Sequence, residues 1–238
     1  MCLQRDFARM EKTSGQGRDY LRRMSELFEA IKAGDATRIK SLLDNDARLL
    51  DAPVDNVSPV LMALYQGKRD IAQLLIERGA RLTFAEACAM GERERVEALL
   101  KSDPSLLNRR SPDGYPPLGL AIFFGQPAIA RLLIEKGADV EAPAENVNNV
   151  APVHAAAAVR DIETMRLLLA RGADPNARQQ RDYTALHGAA SRGDIEMGKL
   201  LLSHGADPNA KGSDGMTVAD VAVKYGHPSF AEWLNSEC

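Results

Sequence analysis

Residues 184–209 read TALHGAASRGDIEMGKLLLSHGADPN. Thr184 offers a side-chain oxygen to the first turn of a helix. Gly193 breaks the run as a tight turn, and a Leu-rich triplet, Leu200 to Leu202, follows. Gly205 stands where a residue of left-handed conformation ends a second helix, and Asp207-Pro-Asn begins the next turn. The stretch therefore spells helix, tight turn, helix and loop, a unit too small to bury its own apolar face.

Copies of this unit run along the chain. The turn glycine recurs at Gly34, Gly67, Gly91, Gly125, Gly193 and Gly226, with Arg160 in the same place, and most steps are 33 to 35 residues. Four residues before each turn stands an alanine: Ala30, Ala63, Ala87, Ala121, Ala156, Ala189 and Ala222. Eight residues after it stands a leucine: Leu42, Leu75, Leu99, Leu133, Leu168, Leu201 and Leu234. Small residues let helices approach closely and the leucine fills the space between neighbouring units, so the repeating constraint is packing.

The starts of the first helices read Ser25-Glu-Leu-Phe, Ser58-Pro-Val-Leu, Pro116-Pro-Leu-Gly, Ala151-Pro-Val-His, Thr184-Ala-Leu-His and Thr217-Val-Ala-Asp. This resembles the Thr-Pro-Leu-His signature of ankyrin repeats, with Gly-Ala-Asp at Gly137, Gly172 and Gly205. Over about residues 25–235 the chain resembles ankyrin repeat proteins, of bacterial type in style. The resemblance implies an all-α ankyrin repeat solenoid of about seven stacked helix-turn-helix units with short β-hairpin fingers. The frames place units at about 25–57, 58–81, 82–115, 116–150, 151–183, 184–216 and 217–238.

Departures from the pattern fall in the middle. Only about three residues separate Gly79 from the next helix start, so one finger is expected to be missing. The stretch after Gly137 is two residues longer than the standard, and Arg160 replaces a turn glycine, which together predict a weaker middle. Residues 1–24 precede the frame and are expected to be a mobile or partly helical extension, dispensable for folding up to residue 23, with Ser25 capping the first helix and Met24 a natural start. Asn235 replaces the internal Leu or Ile after Leu234 and predicts a water-facing last unit.

Composition narrows the function classes. A formal net charge of −3 across 238 residues carries no polycationic footprint for nucleic acid or an anionic membrane. Cys2, Cys88 and Cys238 are odd in number and scattered, the usage of a reducing compartment. With no apolar stretch for a signal peptide, the chain is expected to be cytoplasmic and monomeric.

Chemical motifs point away from catalysis. His154 and His187 stand at the signature histidine, which the resemblance assigns to bonding the unit's own turn. His204 and His227 have no second ligand at metal spacing, and Cys88 sits in a small-residue slot. Glu92-Arg-Glu-Arg reads as a solvated helix face more readily than as a docking patch. Asn176 and Asn209 resemble asparagines that some ankyrin proteins offer to a hydroxylase, although turn geometry explains both. The chain is expected to be no enzyme and to need no cofactor or metal.

The expected function is a protein-protein interaction scaffold or adaptor, binding another protein on a concave inner surface. That surface draws on the two residues before each turn and the residue before each first helix, with Val57 and Met216 among the latter. The expected partner-binding residues are Tyr65, Met90, Tyr115, Phe123, Phe124, Val150, Arg181, Tyr183, Arg192 and Tyr225. Aromatic side chains there suggest a strip of anchoring contacts, with Arg181 and Arg192 able to receive an acidic or C-terminal segment. Two alternatives stay open: a small-ligand protein or enzyme with a pocket between Arg81 and Tyr115, and a host-directed secreted interaction protein.

Overall fold

The computed structural model describes residues 15–237. The first part of the N-terminal extension, residues 1–14 with Cys2, and Cys238 lie outside the described residues. The chain divides into two compact units, one ending at Thr83 and one beginning at Phe84. Fourteen α-helices and three 3₁₀ turns are formed among the described residues, and seven helix pairs match the seven frames.

The first unit holds α1 (Gly15–Ala33), α2 (Ala36–Asn45), α3 (Pro59–Tyr65) and α4 (Arg69–Glu77). Here the reading of Ser25 needs correction: α1 runs straight through it. Asp19 pairs with Arg22 at 2.6 Å and with Arg23 at 2.7 Å inside the helix, and the Arg48 guanidinium lies 5.2 Å over the Tyr20 ring. Continuous i,i+3 and i,i+4 pairing lets the helix start at least ten residues before the frame. Removing residues 1–23 would therefore cut α1 near its middle. Ser58 does cap α3, accepting from the Leu61 N–H at 3.0 Å, and Val54 and Val57 close a two-residue finger through Asp55 and Asn56, both at positive φ.

The second unit continues with α5 (Phe84–Met90), α6 (Arg93–Ser102), α7 (Pro117–Phe123), α8 (Pro127–Glu135), α9 (Pro152–Val159), α10 (Ile162–Ala170), α11 (Ala185–Ala190), α12 (Ile195–Ser203), α13 (Val218–Lys224) and α14 (Pro228–Glu237). Within this unit α5, α7, α9, α11 and α13 stack in sequence as an inner row, and α8, α10 and α12 stack as an outer row. The alanine of each frame is buried throughout, and so is the ladder leucine except Leu99, which is half-buried. Residues 80–83 form no hairpin, as the shortened spacing predicts.

Turn chemistry fixes the pairs. Arg160 takes a left-handed conformation at φ 59° and holds the Asp194 carboxylate at 3.0 Å. Asp35, Asp161 and Asp194 follow their turn residues and cap the outer helices, whereas Lys68, Glu92 and Gln126 in the same place make no side-chain cap. Each such cap stabilises a helix by about 1 kcal/mol.

Backbone hydrogen bonds stitch successive fingers of the second unit. Glu145 N–H donates to Gly114, Gln180 N–H to Asn148 and Ser213 N–H to Arg181. A second row runs beneath the helix ends: Asp139 N–H donates to Asn108, Asp174 N–H to Glu141 and Asp207 N–H to Asn176. The Asn176 amide also donates to the Gly205 carbonyl at 2.8 Å, so its side chain is committed to the fold.

Candidate functional site: the inner face of the second unit

The inner helices α7, α9 and α13 end on exposed residues, Phe123, Val159 and Lys224, whereas α5 and α11 end on buried Met90 and Ala190. Phe123 is 50% exposed, Val159 37% and Tyr225 58%. Phe123 rests edge-to-face on half-buried Phe124, centroids 5.1 Å apart at 83°. Arg181 and Arg192 are exposed beside this row, and both lack an ion pair among the described residues.

At the finger end of units six and seven the side chains are already engaged. The Tyr183 hydroxyl donates to Asp214 Oδ2 at 2.8 Å and lies 3.7 Å from Met216 Sδ. Its ring stacks on His187 at 4.8 Å and 7°. Gly212 is required beneath it, because a Cβ there would come within 2.1 Å of the Tyr183 ring. Burial, then the Asp214 bond and charge, push the Tyr183 phenol above its ordinary range; the same bond, followed by the Met216 N–H, pulls the Asp214 carboxyl down. Lys224 Nζ lies 3.6 Å from Met216 Sδ and 6.0 Å from the Tyr225 ring centroid.

The expected site residues therefore sort by exposure. Phe123, Tyr225, Arg181 and Arg192 are offered to solvent. Phe124, Tyr115, Val150 and Tyr183 are half-buried. Tyr65 is half-buried and belongs to the first unit. Met90 is a correction: it is 4% exposed, and α5 is buried at every residue from Phe84 to Met90. Small side chains at Ala85, Ala87, Cys88 and Ala89 let neighbouring structure close over the whole helix. Val147, 83% exposed in the lengthened finger, was not anticipated; its signal was a lone apolar residue between Asn146 and Asn148.

The histidines do structural work. His154 Nδ1 accepts the Ala151 N–H at 3.1 Å, which leaves the proton on Nε2, 2.9 Å from the Ala177 carbonyl. His187 Nδ1 likewise accepts the Thr184 N–H at 3.1 Å, but its buried Nε2 makes no hydrogen bond of normal length among the described residues and has the Met216 and Ala210 backbone near it. Burial is the first cause that lowers both imidazole pKa values, and it raises that of the Cys88 thiol. Among the described residues no cluster of three or more His, Cys, Asp or Glu is placed to hold a metal ion, and no helix is long and apolar enough to cross a membrane. Glu92 to Arg95 is exposed at the start of α6, where Arg93 pairs with Glu97 at 2.9 Å.

Residues 153–238 match the family profile for ankyrin repeats in three copies, and residues 113–142 match a single ankyrin repeat. The chain is 30% identical over 164 residues to the E3 ubiquitin-protein ligase KEG of Arabidopsis thaliana, covering 66% of this chain and 10% of the relative. It is 31% identical over 164 residues to the ankyrin repeat and KH domain-containing protein mask-1 of Caenorhabditis elegans, covering 63% and 6%. Against the ankyrin repeat protein nuc-2 of Neurospora crassa it is 31% identical over 187 residues, covering 74% and 17%. The chain thus spans a small part of each of these relatives. Seven helix pairs on one alanine and leucine ladder, signature histidines bonded at their own helix starts, and these matches together place the chain in the ankyrin repeat family.

Proposed function

We propose that this chain is a scaffold or adaptor that holds a partner protein on the inner face of its second unit and performs no chemistry of its own, in the cytoplasm and as a monomer. Ankyrin repeats are protein-protein interaction modules, and the choice of this face rests on one observation. Phe123, Val159 and Tyr225 are solvent-exposed apolar side chains at or beside one equivalent position in units four, five and seven. Exposed apolar and aromatic groups on a rigid scaffold are the groups that anchor interfaces, since burying them gains most per residue at little entropic cost. At the finger end of units six and seven, Tyr183 is preorganised by its bond to Asp214 and its stack on His187.

A photo-crosslinking amino acid placed at Val159 tests this, with the same group at exposed Arg166 of the outer helix α10 as control. Crosslinks to a discrete partner from the Val159 position and not from Arg166 are the expected result. Equal crosslinking from both positions would move the interface off the inner face.

A further inference from the structure

We infer that the partner segment received by units five to seven is acidic, with carboxylates flanking an apolar anchor; this rests on the reading of the inner face as the partner site. The observation is an imbalance in how charges are used there. The carboxylates are held inside the fold by hydrogen bonds, which keep Asp214 and Asp220 ionised and in fixed positions. Asp194 caps α12 and holds Arg160, Asp214 accepts from Tyr183 and from the Met216 N–H, and Asp220 accepts from Thr217 at the start of α13.

The cations are bonded less closely. Arg181, Arg192, Lys211 and Lys224 are exposed and make no ion pair within 4 Å among the described residues; Asp182 beside Arg181, Asp214 near Lys224 and Asp220 near Lys211 offset them in part. Arg181 is held in place by its backbone: it sits at φ 65° and its carbonyl accepts the Ser213 N–H at 2.8 Å. Arg192 occupies in unit six the position that Tyr225 occupies in unit seven. Lys224 lies against Met216 and Tyr225. An ammonium group thus lies beside an exposed aromatic ring, and a guanidinium takes the ring's equivalent position one unit earlier, an arrangement that receives carboxylates flanking an apolar side chain. A net charge of −3 for the whole chain sets this small group of cations apart from the general polycationic surface that polynucleotides select.

The probe is a random peptide library selected on the full chain, with a fluorescent single-stranded oligonucleotide for comparison. Selected peptides should be enriched in Asp and Glu around one apolar residue. Their affinity should fall roughly tenfold or more in the triple variant Arg181→Glu, Arg192→Glu, Lys224→Glu, and fall with rising salt. All three side chains are exposed, and an unchanged circular dichroism spectrum verifies the fold of the variant. Peptides that lose binding on Phe123→Ser with Tyr225→Ser, yet show no carboxylate enrichment and no response to charge reversal, would overturn the acidic partner and leave the inner face standing. Selected peptides indifferent to both sets of changes would overturn the inner face itself. Binding of the oligonucleotide more tightly than any selected peptide would overturn the acidic-peptide assignment in favour of a polyanion.

Discussion

Units three and five stand on the same scaffold, yet they are built to different tolerances. In unit five, Ala156 and Leu168 are fully buried, Asp161 caps α10, and His154 ties its helix start to the next loop. In unit three, the inner helix α5 is buried at every residue while its outer partner α6 buries only Val96. Leu99 is left half-buried, Glu92 makes no side-chain cap, and an open cleft of about 800 Å³ lies beside Leu100, Leu107 and Leu132. One frame can thus carry both a tight unit and a loose one, because each unit packs only against its immediate neighbours.

The largest expected effect separates these units. Leu168→Ala should destabilise the protein by about 3–5 kcal/mol, since a fully buried leucine leaves a cavity, whereas Leu99→Ala should cost only about 1 kcal/mol. Urea unfolding measures both, and amide exchange should be faster in α6 than in α10. Equal costs at the two leucines would erase the distinction.

Next come the two histidines. His154→Ala removes a side chain that serves a backbone donor and a backbone acceptor, and should cost about 2–3 kcal/mol. His187→Ala removes a ring bonded on one side only and should cost about 1 kcal/mol less. Both imidazoles have a pKa lowered in the fold, first by burial, from an ordinary value of 6.5. The unfolded chain therefore binds more protons, so their contribution is present above pH 6.5 and is lost as pH falls below it. Replacing both histidines should flatten the melting temperature across that window, and an unaltered slope would show that other groups control acid stability.

The smallest effect is expected at Arg160→Gly. Relief of the left-handed conformation gains about 1 kcal/mol, and loss of the exposed bridge to Asp194 gives back about 0.2–1 kcal/mol. A net gain of a few tenths should appear in the unfolding midpoint; a clear loss would mean that Arg160 matters through the Asp194 contact.

The ladder was legible because it repeats: one alanine and one leucine per frame, at fixed offsets from a turn, reveal a stack before any single helix is certain. What repeats once, or not at all, escaped that logic. Ser25 looks like a cap by its offset, yet the pairs of Asp19 with Arg22 and Arg23 support α1 before it and the Arg22–Glu26 pair spans it. Met90 occupies an inner-face offset, but exposure depends on what closes over the small residues of α5, and an offset carries no information about that. The aspartates after the turn residues were a readable signal, obscured because that position differs between frames. At the inner face, the positions of Phe123 and Tyr225 were readable from the frame. The bond of Tyr183 to Asp214 joins residues one repeat apart and is visible only when the fingers stack.

The most direct test of the inner-face account is the affinity of a crosslinked partner, measured by titration, for a triple variant Phe123→Ser, Val159→Ser, Tyr225→Ser. All three side chains are exposed, so the melting temperature should hold within a few degrees while affinity falls by roughly a hundredfold or more. A folded triple variant that binds the partner as the unaltered chain does would contradict the account.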